Sequence, residues 1–476
     1  MLIKSDRLPF GMRQLLSMGV VLALLLTATF RQDPWLALSV YLLALTIGRL
    51  LDVGFEKLLM LSFGFPSYLD FGVLLNFSPA ILICCLLWCR PVFWRRLRAS
   101  DDTRVLAKWL ACVIVILWAY FAAVLLLRGE IGDWQPVAKI VVTGLICFTV
   151  AIVVSEAAGS GKRELLNVWI LAASFLSLAT LVAYVSQLSG ATWFSNGLVF
   201  LGWRASGTFT DPNLFALYLL ISLGFAITNL LQRLSPQLGA AVLLISIMLA
   251  LANSRAASLA LVGMLTIGLV LLLGKWRLWF TWLAIAGVVS ISVLGTNIVD
   301  SLGPKSVSFQ EVQILDLSVS TTARTSVQGD IRFEFWSAGV EMWRADPFFG
   351  AGLGQFSEVS RDAQMWKWGS GSLHNTFVTL LVEGGALGLF LIVAALAVLI
   401  TKLALTRNPQ GVGLAATVTS VVIFMNGFDL IHASLVWGCL GAATGFLSSG
   451  GGKAYQFLFL RSRQLRAMFG KSRNRT

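Results

Sequence analysis

The chain has 476 residues, 57% of them hydrophobic and only 12% charged, with 17 tryptophans and a net charge of +13. A soluble domain carries about a quarter charged residues, so the composition excludes a soluble globular protein and points to a chain threaded repeatedly through a bilayer. The basic excess sits in short segments beside apolar runs and comes with no recognition module, which argues against nucleic acid as a partner.

In chain order, Met1–Gly11 carries Lys4 and Arg7 but no clear small-residue cleavage site, so the first apolar run, Leu15–Phe30, reads as a retained span. Pro34–Leu51 follows, then one or two passes within Phe55–Cys89. Further spans are expected at Leu106–Leu127, Val137–Val154, Leu166–Leu188, Asn213–Leu231, Leu238–Leu251, Ala256–Leu273 and Leu278–Leu294. The last three are Thr376–Ile400, Val412–Met425 and Ser434–Phe446. Arg90–Lys108 holds six basic residues, and Lys453–Thr476 holds seven with no acid. Both are expected on the cytoplasmic side, facing anionic lipid head groups. An even number of crossings must then precede Arg90, so Phe55–Cys89 should hold two passes with a turn near Asn76–Pro79, or a pair of half-helices. The expected class is an all-α polytopic membrane protein of about 12 to 14 transmembrane helices with both ends inside.

That topology leaves three segments outside: Ser189–Pro212, the turn Asn253–Arg255 and the long loop Gly295–Leu373, which has six Lys/Arg and nine Asp/Glu. Asn297–Ser326 is polar and irregular. Asp330–Arg344 places Phe333, Trp336, Val340 and Trp343 at helical spacing, predicting an amphipathic helix. Pro347 ends it, and Gly350, Gly352 and Gly354 follow. The six cysteines all lie in apolar runs and read as packing residues.

Four polar clusters fall on the outer side. In Arg204–Asn213, Asp211 caps a helix that opens with Pro212. That leaves Arg204, whose planar guanidinium suits phosphate. Arg255, in Asn253-Ser254-Arg255, either snorkels to head groups or holds an anion at the floor of a cavity. The loop helix brings Arg332, Glu334, Glu341 and Arg344, a set that also suits a solvated face. His374, with Asn375 and Glu383, sits where the long loop enters an apolar helix, where a histidine can meet a water-side acceptor and a lipid-borne donor. The other histidine, His432 beside Asp429, is expected to be dispensable. The Gly350-x-Gly352-x-Gly354 spacing is weak as a nucleotide loop, because no strand precedes it. No Asp-x-Asp pair, Walker loop or His-Glu-x-x-His is present, so neither a metal nor a nucleotide cofactor is expected.

In this order, Arg204-x-Ser-Gly-Thr-Phe-x-Asp-Pro-Asn213, Ser254-Arg255, Arg332-x3-Trp336, Asp346-Pro347-x2-Gly350-x-Gly352-x-Gly354-x-Phe356 and His374-Asn375 with Gly385 and Gly388 resemble the O-antigen ligase and polymerase superfamily of bacterial envelopes. The resemblance covers roughly Arg204 to Phe446. It implies a metal-independent, GT-C-like membrane glycosyltransferase of the bacterial inner membrane, working at the periplasmic face. The donor would be a glycan on undecaprenyl diphosphate. The acceptor would be lipid A core in a ligase, or a second lipid-linked glycan in a polymerase. His374 would be the general base, and Arg204, Arg255 and Arg332 would hold the diphosphate. Asp211, Asn213, Asn375 and Glu383 would support the site. Trp336, Trp343, Trp366 and Trp368 would stack on sugars or anchor at the interface. The expected organisation is N-terminal helices over 1–203, a catalytic region over 204–446 that includes the outer loop 295–373, and a basic tail over 447–476. The alternatives are a protein O-glycan transferase and a lipid-linked glycan transporter with no covalent step.

Overall fold

A computed structural model describes residues 12–29, 34–50, 53–65, 69–70, 76–77, 79–94, 112–117, 119–124, 126, 135–159, 164–189, 198–200, 204–209, 211–272, 283, 287, 324–362, 372–406, 408–430 and 433–448. The described residues are mostly helical. Helices α1 (Met12–Thr29) and α2 (Pro34–Leu50) pack together. The next region is divided: α3 (Phe55–Ser62) and α4 (Pro79–Trp88) flank a two-residue antiparallel ladder of β1 (Leu69–Asp70) and β2 (Asn76–Phe77). At 1.5 Å per residue, α3 and α4 reach about 12 and 15 Å, half of a hydrocarbon core. Each is shorter than a bilayer crossing.

Helical residues over Cys112–Val124 lead to α5 (Gln135–Gly159) and α6 (Glu164–Leu188). A second small ladder, β3 (Val199–Phe200) with β4 (Arg204–Ala205), precedes α7 (Pro212–Leu230), α8 (Pro236–Leu251) and α9 (Arg255–Leu271). Residues 324–362 supply α10 (Arg324–Ala345) and α11 (Gln355–Asp362). The chain then forms α12 (Thr376–Leu405), α13 (Pro409–Phe424) and α14 (Ser434–Ser448). Of the described helices, α5, α6, α7 and α12 are long and apolar enough to cross a bilayer, and six further apolar stretches run to 10–17 residues. Almost all of Leu278–Leu294, and residues 297–323, lie outside the described residues.

Nearly every residue of α7 is buried, as expected of a helix apolar on all sides. Its packing on α13 is reciprocal: a Cβ at Gly224 would overlap Thr417, and one at Gly413 would overlap Thr228. The two helices therefore run antiparallel and approach closely through small residues. Such contacts favour association in lipid, where no hydrophobic force pulls helices together. Helices α5 and α14 make a parallel version, with Gly441 against Cys147 and Gly445 against Ala151, and the Ser448 hydroxyl 2.8 Å from Ser155 Oγ. Trp169 Nε1 donates to Ser222 Oγ at 3.0 Å, and Asn229 Nδ2 to Asn167 Oδ1 at 2.8 Å, fixing α6 on α7. The outcome is a bundle in which α7, α9 and α12 begin at one end, and α8 and α13 finish there.

Candidate active site

The site is built where those ends meet. Asp211 caps α7, its carboxylate accepting the Asn213 N–H at 2.6 Å, and Pro212 opens the helix. Ser254 caps α9 through the Ala257 N–H. Arg204 joins the two. Its Nε donates to the Ala252 carbonyl at 3.1 Å, and its Nη2 to the Asn253 carbonyl at 3.0 Å and to Asn213 Oδ1 at 3.2 Å. A planar fork suits three acceptors arranged in this way. Asn253 takes a left-handed φ of 47°, a conformation asparagine tolerates better than most residues. It turns the chain so that Arg255 is the first residue of α9, with its side chain exposed.

The histidine end is fixed just as tightly. His374 has a φ of 50°. Its N–H meets Ser372 Oγ at 3.2 Å, and its ring stands edge-on to Phe428 at 5.8 Å. Asn375 caps α12, its Oδ1 accepting from Phe377 N at 3.0 Å and Val378 N at 3.2 Å. Thr376 ties this terminus to the turn that follows α13. Its N–H donates to the carbonyls of Met425 and Phe428, and its hydroxyl donates to Phe428 O at 2.7 Å and accepts from Leu430 N at 2.9 Å. On its other side the same turn presents Gly427 to Ala256, so closely that a Cβ on Gly427 would lie 2.9 Å from the Ala256 methyl. The 425–430 turn thus bridges the residue after Arg255 and the residues after His374. Beneath it opens a small apolar cleft of about 80 Å³, lined by residues including Leu117, Ile392, Leu396, Met425, Leu430 and Trp437.

A third piece stabilises α12 from outside. The helix breaks at Gly385 (φ 63°, ψ −175°), and the 346–354 loop fills the break. Ala351 N donates to Val382 O at 2.7 Å and Gly352 N to Glu383 O at 3.0 Å. Beyond the break, Ala386 N donates to Pro347 O at 2.9 Å and Leu387 N to Phe348 O at 3.3 Å. Tyr120, from the N-terminal third, donates its hydroxyl to the Gly384 carbonyl. Backbone groups orphaned by the break are therefore satisfied by the clasp and by Tyr120, as buried polar groups require. Gly350 and Gly385 lie backbone to backbone, so a Cβ on either would overlap the other strand. Glu383 is buried, and its carboxyl accepts the N–H groups of Gly354 and Phe356 at the start of α11. Asp429 acts on the same carboxyl electrostatically, and Asp429 Oδ2 lies 3.1 Å from Thr379 Oγ1.

Residues 240–393 match the family model described as O-antigen ligase. The matched stretch, about a third of the chain, is similar to that family. No curated protein matches the chain. The matched segment runs from α8 to the middle of α12 and contains Arg255, the clasp, His374, Asn375 and Glu383. Arg204, Asp211 and Asn213 precede it, and the 425–430 turn that completes the site follows it.

The predicted residues thus fall into two linked groups. Arg204, Asp211, Asn213 and Arg255 meet around the 252–255 turn, and His374 and Asn375 meet the 425–430 turn. Glu383 points into the clasp, toward α11. Arg332 lies on α10, with its side chain outside the described residues, as are Trp366, Trp368 and His432. The packed face of α10 is Phe335, Gly339 and Met342 together with the expected Trp336 and Trp343; Val340 is half-buried, and the side chain of Phe333 lies outside the described residues. Trp336 Nε1 donates to the Leu373 carbonyl at 2.8 Å, so the helix braces the residue before His374. Sequence reasoning missed Thr376 and Tyr120, and read Asp429 only as the neighbour of a dispensable His432. For Asp429 a signal existed, an acid in a short apolar turn. Among the described residues no three His, Cys, Asp or Glu side chains cluster as metal ligands do.

Proposed function

We propose that this chain transfers a glycan from undecaprenyl diphosphate to a sugar hydroxyl, as an O-antigen ligase acting on lipid A core or as a closely related polymerase acting on a second lipid-linked glycan. The observation that carries the reading is the 425–430 turn, which holds the start of α9 on one side and the start of α12 on the other. An exposed arginine and a histidine thereby share one end of a membrane bundle. The positive ends of α7, α9 and α12 converge there, a setting that favours a diphosphate.

In this reading His374 takes the proton of the acceptor hydroxyl as its oxygen attacks the anomeric carbon. The bond from that carbon to the diphosphate oxygen breaks, and the electron pair leaves with the diphosphate. Arg255 offers its guanidinium to that growing charge. Arg204 adds positive charge and, through its three hydrogen bonds, sets the turn that aims Arg255. Arg332 is assigned to the glycan or to the diphosphate. Asp211, Asn213, Asn375 and Glu383 support the site. The small apolar cleft beneath the turn suits part of the polyprenyl tail. Residues 204–446 carry catalysis, 1–203 supply supporting helices including Tyr120, and 447–476 form a basic tail on anionic lipid. The fold is GT-C-like, with the site at the periplasmic face of the bacterial inner membrane. The chemistry needs no metal or cofactor.

The test is the glycan profile of a strain deleted for this chain. In a ligase, long chains disappear from lipid A core and remain on undecaprenyl diphosphate. In a polymerase, single repeat units stand where long chains belong. An unchanged profile refutes both.

A further inference from the structure

The tip of the clasp is exposed although it is apolar. Phe348 is 72% exposed, and Phe349 is exposed beside it. Their position is not arbitrary, because the backbone of the tip is bonded into the break of α12: Phe348 O accepts from Leu387 N, and Pro347 O from Ala386 N. Gly385 has no room for a Cβ against Phe348 O. Phe348 is therefore held beside the helix at the level of residues 385–387. From that level onward α12 turns outward-facing and apolar, with Leu387, Phe390 (65%), Val393, Val398 and Leu405 exposed. The stretch 387–405 is about 28 Å long at helical rise, close to the thickness of a hydrocarbon core. Before the break, α12 is covered instead by α10 and α11. The polar side of the tip fits the same boundary: Trp343 Nε1 donates to Pro347 O at 3.0 Å, and Arg344 is exposed. Aromatic residues with a neighbouring arginine are what a membrane–water boundary gathers.

We propose that Phe348 and Phe349 extend the lipid-facing surface of α12, so that the tip of the clasp sits in the bilayer leaflet on the site's side. Acyl chains, rather than a protein partner or a second copy of the chain, are the occupant, because the patch continues a face that a spanning helix already exposes. The tip then anchors α10 and α11 to the membrane, and through the bond from Trp336 to Leu373 it fixes the height of His374 above it. This inference rests on α12 spanning a bilayer and not on the chemistry assigned to His374.

The experiment is photocrosslinking of the full chain in its native membrane, with benzoylphenylalanine replacing one residue at a time: Phe348, Phe390 on the lipid-facing part of α12, or Glu358 on the exposed side of α11. The products are read by intact mass. The expected result is a phospholipid adduct at 348 comparable to that at 390, and at least tenfold less at 358. Absence of a lipid adduct at 348, a crosslink from 348 to protein, or labelling at 358 as strong as at 348 would each overturn the proposal. Transfer activity is not the readout, so the reading of His374 stands or falls separately.

Discussion

The site depends on a few side chains that act on backbone. Arg204 is the clearest case, because Nε and Nη2 together reach Ala252, Asn253 and Asn213. A lysine keeps the charge but lacks the planar fork. Arg204→Lys is therefore expected to lower transfer at least tenfold and stability by about 1–3 kcal/mol. Wild-type turnover in that variant would mean that charge alone is needed. Asn375 accepts two N–H groups at the start of α12. Asn375→Ala should cost about 1 kcal/mol, seen as a lower melting temperature in detergent, and Asn375→Asp should restore it. Much of this was legible in the sequence: Asp211-Pro212 announced a capped helix, and Ser254-Arg255 a tight turn between apolar runs. Thr376 was not legible, because its partners at Met425, Phe428 and Leu430 are some 50 residues away in the chain and a threonine in an apolar run carries no distinguishing pattern.

At the scale of elements, the broken helix and its clasp form one unit. Gly385 and Gly350 both have positive φ and touch through backbone. Gly385→Ala meets the left-handed penalty of about 1–2 kcal/mol and an overlap with Phe348 O. It should detach the 346–354 loop, seen as protease cleavage there in intact membranes; a loop as resistant as wild type would contradict the account. Tyr120→Phe removes only the bond to the Gly384 carbonyl and should cost about 1 kcal/mol. The glycine run after Asp346-Pro347 was visible in the sequence, but its purpose was not. A helix glycine at 385 looks like packing, and nothing in the local spacing says that a loop more than 30 residues upstream fills its break. The packed face of α10 was legible only in part, at Trp336 and Trp343. Gly339 packs against Leu373 and Val382, and a glycine leaves no mark in an apolar stripe.

For the whole molecule, close helix approach through small residues sets which ends coincide. Gly224→Val or Gly413→Val drives a side chain into Thr417 or Thr228, and the expected outcome is loss of folded protein on fluorescence-detected size exclusion. Gly239→Ala, at a helix position with nothing within 4 Å, should be neutral or stabilising by up to about 1 kcal/mol. The four helices long and apolar enough to cross a bilayer were readable as apolar runs, and the shared site end was readable from the order of the polar clusters. The contact that joins them, Gly427 on Ala256, was hidden, because it depends on α9 and α13 running antiparallel side by side. The central claim is that Arg255 and His374 serve one reaction. It is tested most directly by single-turnover glycan transfer with the purified chain and a lipid-linked donor. The account predicts that His374→Ala slows transfer by about 10²–10⁴-fold with donor binding unchanged, while Arg255→Ala weakens both binding and transfer at wild-type protein levels. Transfer at the wild-type rate in His374→Ala would contradict it.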